Sequence, residues 1–184
     1  AWEVWEAIKN EDWVLTVNPL WGHATRLWDF DKPHRWTGVS AGMQTARTIS
    51  ASLCVALAHK GTGRLVVDLQ ADGDLLYTPS ALWTAANQRL PLLIVMNNNR
   101  AYGNDWRHQI HVARHRGRPI ENAGVGQEIS DPAPDFATIA RGFGIYAEGP
   151  LENPAEIQGA LQRAIAVVKE GNPALIDVVT AGRW

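Results

Sequence analysis

The sequence has a single cysteine, Cys54, so neither an intramolecular disulfide nor a Cys-rich zinc site is available to it. It has no excess of charge of either sign: 17 Lys and Arg stand against 19 Asp and Glu, a net charge of −2. That balance gives no electrostatic reason to expect nucleic acid or an anionic membrane as a partner. No apolar run approaches the length needed to span a bilayer, and no charged-then-apolar leader opens the sequence. These absences make a cytoplasmic setting the expectation. Internal repeats and low-complexity segments are missing as well. The first residues, AWEVWEAIKN, lack an initiator Met and read as the interior of a longer multidomain chain.

What is present is an ordinary globular composition. The 184 residues are 46% apolar and 20% charged, enough for one domain with a sizeable core. Strand-like and helix-like segments alternate. Residues 1–9 read as helix and Asp12 to Val17 as a short strand, followed by a long loop over 18–39 that holds Pro19, Gly22, Pro33 and Gly38. Residues 42–59 suit a helix of small residues, with Cys54 as a buried member. Leu65 to Leu69 (LVVDL) is a buried-type strand, and Ala71-Asp72-Gly73-Asp74 reads as the turn after it. A helix over 79–89, opened by Pro79, leads to Leu92 to Met96, a continuously apolar run of the kind found in fully covered strands. Residues 104–116 and Pro134 to Phe143 are further helices. Asn153, Pro154 and Glu156 open the best-signalled helix, 154–170, whose stripe is Ile157, Leu161, Ile165 and Val168. Residues 174–180 make a last strand. The alternation predicts an α/β fold with a mainly parallel sheet flanked by helices, one domain over 1–184, with 1–36 as a linker and loop region.

Two of these strands run into polar loops, ADGD at 71–74 and NNNRAYG at 97–103. In open α/β sheets ligands sit outside the carboxyl ends of strands, so the two loops should lie side by side. Asp72 offers a carboxylate and Asn99, 27 positions on, a side-chain carbonyl. The backbone carbonyl of Ala101 could add a third oxygen. Mg²⁺ takes such oxygens together with those of a phosphate. Gly73 would let the backbone approach a diphosphate closely. Taken singly, each loop is a common turn; the pair, with a helix and a buried strand between, points to a Mg²⁺-diphosphate site.

The run from Asp72-Gly73 to Asn98-Asn99 resembles the GDG…NN motif of thiamine diphosphate enzymes. The stretch DGDLLYTPSALWTAANQRLPLLIVMNNNRAYG is similar to the acetolactate synthase and benzoylformate decarboxylase branch, and the likeness continues through DPAPDFATIARGFGIYAEGP and PALIDVVT. It covers roughly residues 36–181, within the C-terminal, diphosphate-binding domain of that family. The resemblance implies a thiamine diphosphate-binding fold, with Asp72, Asn99 and the Ala101 carbonyl as Mg²⁺ ligands, Gly73 and Asp74 at the diphosphate, and Tyr102 and Gly103 bordering the cofactor. It implies lyase or transferase chemistry on a small 2-keto-acid-type substrate, in which a thiazolium ylid attacks a carbonyl and the cofactor takes up the electrons of the broken C–C bond. The glutamate that activates the aminopyrimidine would come from a separate pyrimidine-binding domain of the same or a partner subunit, in a homodimer or homotetramer. This chain alone would then be inactive.

The sequence departs from the family at two places. Ala71 replaces the first glycine of GDG. The segment Ala41 to Cys54 (AGMQTARTISASLC) keeps one glycine, Gly42, where relatives carry several. There the resemblance assigns cofactor contacts to Gly42 and a bulky prop to Met43 or Thr45. This departure supports a second reading, a noncatalytic homologue or assembly module that keeps the fold without productive cofactor binding.

Other features have ordinary explanations beside functional ones. His108, His111 and His115 share a helix face with Asp105 nearby, but Arg107, Arg114 and Arg116 oppose a cation there, and a solvated basic face is the simpler reading. His23 and His34 in the 18–39 loop read as solvated. Trp2, Trp5, Trp13, Trp21, Trp28 and Trp36 crowd the first 36 residues and read as packing and contact surface. Gly61 and Gly63 precede a strand, which is the wrong context for a dinucleotide fingerprint. Asp68, inside a strand, is either a buried polar contact or an edge residue.

Overall fold

A computed structural model describes residues 1–17, 23–37 and 44–182, with side chains in the third segment from residue 47 onward. Its frame is a five-stranded sheet, every neighbouring pair parallel. The strands are β1 (Trp13–Leu15), β2 (Leu65–Ala71), β3 (Leu92–Asn98), β4 (Tyr146–Leu151) and β5 (Ala174–Val179), in the order β1-β2-β3-β5-β4. Parallel strands need crossovers, and the helices supply them. These are α1 (Trp2–Ile8), α2 (His23–Leu27), α3 (Gln44–Ala58), α4 (Asp72–Tyr77), α5 (Ala81–Asn87), α6 (Gly103–His115), α7 (Phe136–Gly142) and α8 (Pro154–Lys169). The α/β class and the mainly parallel sheet expected from the sequence are what the structure has.

The central strands are buried on both faces, which is why β2 and β3 read as near-continuous apolar runs. On one face α1, α2 and α8 cover Leu65, Val67, Leu69, Leu93, Val95 and Ile176. On the other, α3, α4, α5 and α7 cover Val66, Leu92, Ile94, Met96 and Leu175. The pleat therefore sends Asp68 and Gln70, in register with Val66, to the α3 side. Asp68 is fully buried, which resolves its ambiguity in favour of an interior position. α8 opens as its sequence predicts, with the Asn153 side chain accepting from Ala155 N and Pro154 in the first turn.

In the N-terminal region, assigned as linker and loop, the expected helix over 1–9 is α1 and the expected strand over 12–17 is β1, and buried aromatics pack against them. The Trp13 ring lies 5.3 Å from that of Trp28 and 5.4 Å from that of Phe30, both edge-on, and the Arg35 guanidinium sits 4.4 Å above it. Within the expected 18–39 loop the chain makes α2 and a 3₁₀ turn, Pro33–Arg35. Pro19, Trp21, Gly22 and Gly38 lie outside the described residues. His34 is half-buried against Asp12, 3.2 Å away, where a solvated side chain was expected.

Two further expectations are corrected, and one strand was not anticipated. The ADGD turn is the first turn of α4, with Ala71 at its N-cap position. Cys54 is exposed, because α3 turns Ser52 and Ala56 to the core and leaves Cys54 on its outer side. β4 was not legible, since YAEGPL carries a glycine and a proline and lacks apolar alternation. Its place at the sheet edge accounts for that composition: proline is tolerated where one side needs no ladder bond. Among the described residues no helix is long and apolar enough to cross a membrane.

Candidate functional site

The register of β2 against β3 pairs Ala71 with Asn97, so the two strands end level. Beyond that line β2 passes into α4 and β3 into the loop 99–102. The structure thereby brings together the two predicted oxygen donors. Asp72 Oδ2 and Asn99 Oδ1 both accept from the backbone N–H of Ala101, each at 3.1 Å. One shared donor holds both side chains over the same loop. The loop is pinned from outside as well: Tyr102 N donates to Gln127 O at 2.8 Å and Ile129 N to Arg100 O at 2.8 Å. Arg100 takes a left-handed backbone, φ 58°, which turns the chain between Asn99 and Ala101.

The electrostatics of this sheet end favour a cation. Burial pushes the Asp72 carboxyl up to about 6, against the lowering effect of backbone N–H groups at Gly73, Ala101 and Arg100. Asp74 is likewise raised to about 6, by burial first and then by the charges of Asp72 and Asp105. Asp74 thus feels the negative charges of both Asp72 and Asp105 at this end of the sheet. A hard divalent cation with oxygen ligands is the group such a donor set suits.

Gly73 has a specific reason to be glycine. A Cβ there would stand 2.6 Å from Tyr102 Cδ1, so the Tyr102 ring lies directly on its backbone. Tyr77 flanks that ring at 6.1 Å between centroids. Ala71, where the motif usually has glycine, sits at φ −83°, a conformation that any residue adopts without strain. Gly103 opens α6 beside Tyr102. Gly42 and Met43 lie outside the described residues, as does the side chain of Thr45.

The structure adds residues that the sequence did not single out. Asn98 Nδ2 donates to Asp177 Oδ1 at 3.1 Å, and Thr180 Oγ1 donates to Asn97 Oδ1 at 3.0 Å, so β5 grips the chain just before Asn99. Only the nearness of strands β3 and β5 could have signalled these pairs, and their order in the sheet is not readable from the sequence. The histidines of α6 lie on a helix with no buried residue, and no cluster of three metal-binding side chains occurs among the described residues.

The family model described as "Thiamine pyrophosphate enzyme, C-terminal TPP binding domain" matches residues 19–178. The chain belongs to this family. It is 28% identical to the acetolactate synthase isozyme 3 large subunit of Escherichia coli over 183 residues, 97% of this chain and 29% of that protein. It is 31% identical to the benzoylformate decarboxylase of Pseudomonas aeruginosa over 117 residues, 64% of this chain and 20% of that protein. The solved benzoylformate decarboxylase of Polynucleobacter necessarius superposes with a TM-score of 0.73 at 19% identity, over 97% of this chain and 32% of that one. The chain therefore spans less than a third of the length of these relatives. This thiamine pyrophosphate-binding domain has the α/β fold of the family, and its relatives are thiamine diphosphate-dependent enzymes.

Proposed function

We propose that this domain binds the diphosphate of thiamine diphosphate through Mg²⁺, as part of a 2-keto-acid decarboxylase or an acetolactate-synthase-like carboligase. Asp72, Asn99 and the Ala101 carbonyl hold the metal. Gly73 and Asp74 lie at the diphosphate, and Tyr102 and Gly103 border the cofactor. The observation that carries this reading is the convergence of Asp72 Oδ2 and Asn99 Oδ1 on one loop N–H at the carboxyl ends of β2 and β3.

When bound, thiamine diphosphate supplies an electron sink for making or breaking a C–C bond beside a carbonyl. The residues of this chain hold and orient it. Ionised Asp72 gives the charge that keeps the metal, and the Tyr102 ring over Gly73 shields the backbone beside it from water. The glutamate that activates the aminopyrimidine belongs to a pyrimidine-binding domain, so this chain alone binds half of the cofactor and does not turn over. Its partners are that domain, a second or fourth copy in a homodimer or homotetramer, and a small 2-keto-acid-type substrate.

A second reading rests on the single glycine left in Ala41 to Cys54: a noncatalytic module that keeps the fold for assembly. Asp72→Ala separates the two. In the first reading it abolishes Mg²⁺-dependent binding of thiamine diphosphate, measured by calorimetry, and leaves far-UV circular dichroism unchanged. In the second, wild type and Asp72→Ala both bind nothing and assemble alike.

A further inference from the structure

We propose that Asp177, on β5, is the positioning residue for the loop that presents Asn99 and Ala101, acting through Asn98. The proposal rests on the metal-site reading given above. Asp177 and Asn98 are both buried, on the α7 side of the sheet, where their side chains meet at 3.1 Å. Buried amide and carboxyl groups need partners, and Asn98 supplies one to Asp177 Oδ1, while Asp177 Oδ2 is buried without a well-formed hydrogen bond. Asn98 is then used a second time, because its Oδ1 accepts from Arg100 N at 3.3 Å. The left-handed residue that swings Ala101 toward Asp72 is thus tied to β5 through one amide side chain.

Two features show that Asp177 is itself held in place. A Cβ on Gly149 would stand 2.6 Å from the Asp177 carbonyl oxygen and 2.7 Å from its Cβ, so β4 closes directly onto this residue. Gly149 has φ 128°, which restricts the position to glycine. The Phe136 N–H, at the start of α7, lowers the Asp177 carboxyl's pKa against the rise that burial causes. Asp177 therefore joins β4, β5 and α7 to the loop and touches none of the proposed ligands.

Hydrogen exchange at the Ala101 amide reads the position of the loop directly, because that N–H is the donor shared by Asp72 and Asn99. In the unliganded chain, Asp177→Ala should speed exchange at Ala101 about tenfold, the loss expected when a buried hydrogen bond is removed and its partner left unsatisfied. The amides of Ile94 and Val95, within β3, should keep their wild-type rates. Asp177→Asn, which retains an acceptor oxygen for Asn98, should stay close to wild type. Asn98→Ala breaks the same link from the other side and carries the test should Asp177→Ala fail to fold. The Mg²⁺ concentration for half-saturation in the presence of thiamine diphosphate should rise about tenfold in each alanine variant, with the double variant no worse than the weaker single. Wild-type exchange at Ala101 in a folded alanine variant overturns the proposal. Failure of wild type to take up Mg²⁺ overturns the metal-site reading instead, and the exchange result still decides the role of Asp177.

Discussion

At Asp68 a carboxyl group is carried into the fully buried face of β2 with neither oxygen in a well-formed hydrogen bond. Its surroundings are polar but poor in donors: Thr16 and Ser52 share a hydrogen bond of 2.7 Å, and the Gln70 amide donates to Thr48 at 2.8 Å. Burial pushes the Asp68 carboxyl up to about 8; the Ser52 hydroxyl pulls it down and the Asp74 charge pushes it up by smaller amounts. The folded chain holds this proton at pH values where an unfolded aspartate has lost it. Stability from this group is full below the unfolded value of about 3.9 and is lost as pH rises through about 8. Asp68→Asn should therefore flatten the fall in stability between pH 5 and pH 8.5 and raise stability at the upper end by about 1–3 kcal/mol. Urea unfolding at both pH values checks this, and an unchanged slope would exclude Asp68 as its source. That Asp72 and Asn99 come together at one sheet end was legible because both directly follow buried, mainly apolar strands. Asp68 was left undecided because alternation alone does not say which strands lie inside a sheet.

Among the elements, the long buried strands and α8 were the most readable, since their apolar periods and caps are local properties of the chain. β4 and α4 were not. β4 is defined by its partner β5 and has the composition of a turn, while α4 starts at an Asp-Gly pair that favours turns when isolated. The N-terminal region shows the same limit. The helix and strand were readable there but their depth was not: α1 and β1 pack as core, with Val4, Ile8, Trp13 and Leu15 all buried. Trp13→Ala should cost about 3–5 kcal/mol, the range for emptying a large buried aromatic site. A denaturation midpoint within experimental error of wild type would show that the aromatic cluster is dispensable. Removal of residues 1–36 should unfold the sheet for the same reason, since it deletes a strand and two of the three helices of one layer.

For the whole molecule, the sheet end gathers one buried carboxylate, two neighbouring carboxylates and an amide oxygen around a single loop. The domain covers less than a third of the length of these relatives. What this chain can be asked alone is whether it holds a metal-bound diphosphate. The proposed Mg²⁺ site would need ionised Asp72, whose carboxyl is raised to about 6 by burial, so Mg²⁺ uptake should be full near pH 7.5 and should weaken as pH falls through about 6. The most direct measurement is calorimetric titration of the chain with thiamine diphosphate, with and without Mg²⁺, at pH 7.5 and at pH 5. A binding heat that requires Mg²⁺ and fades at pH 5 is the predicted result. No Mg²⁺-dependent heat at pH 7.5, even with a pyrimidine-binding domain supplied, would contradict it.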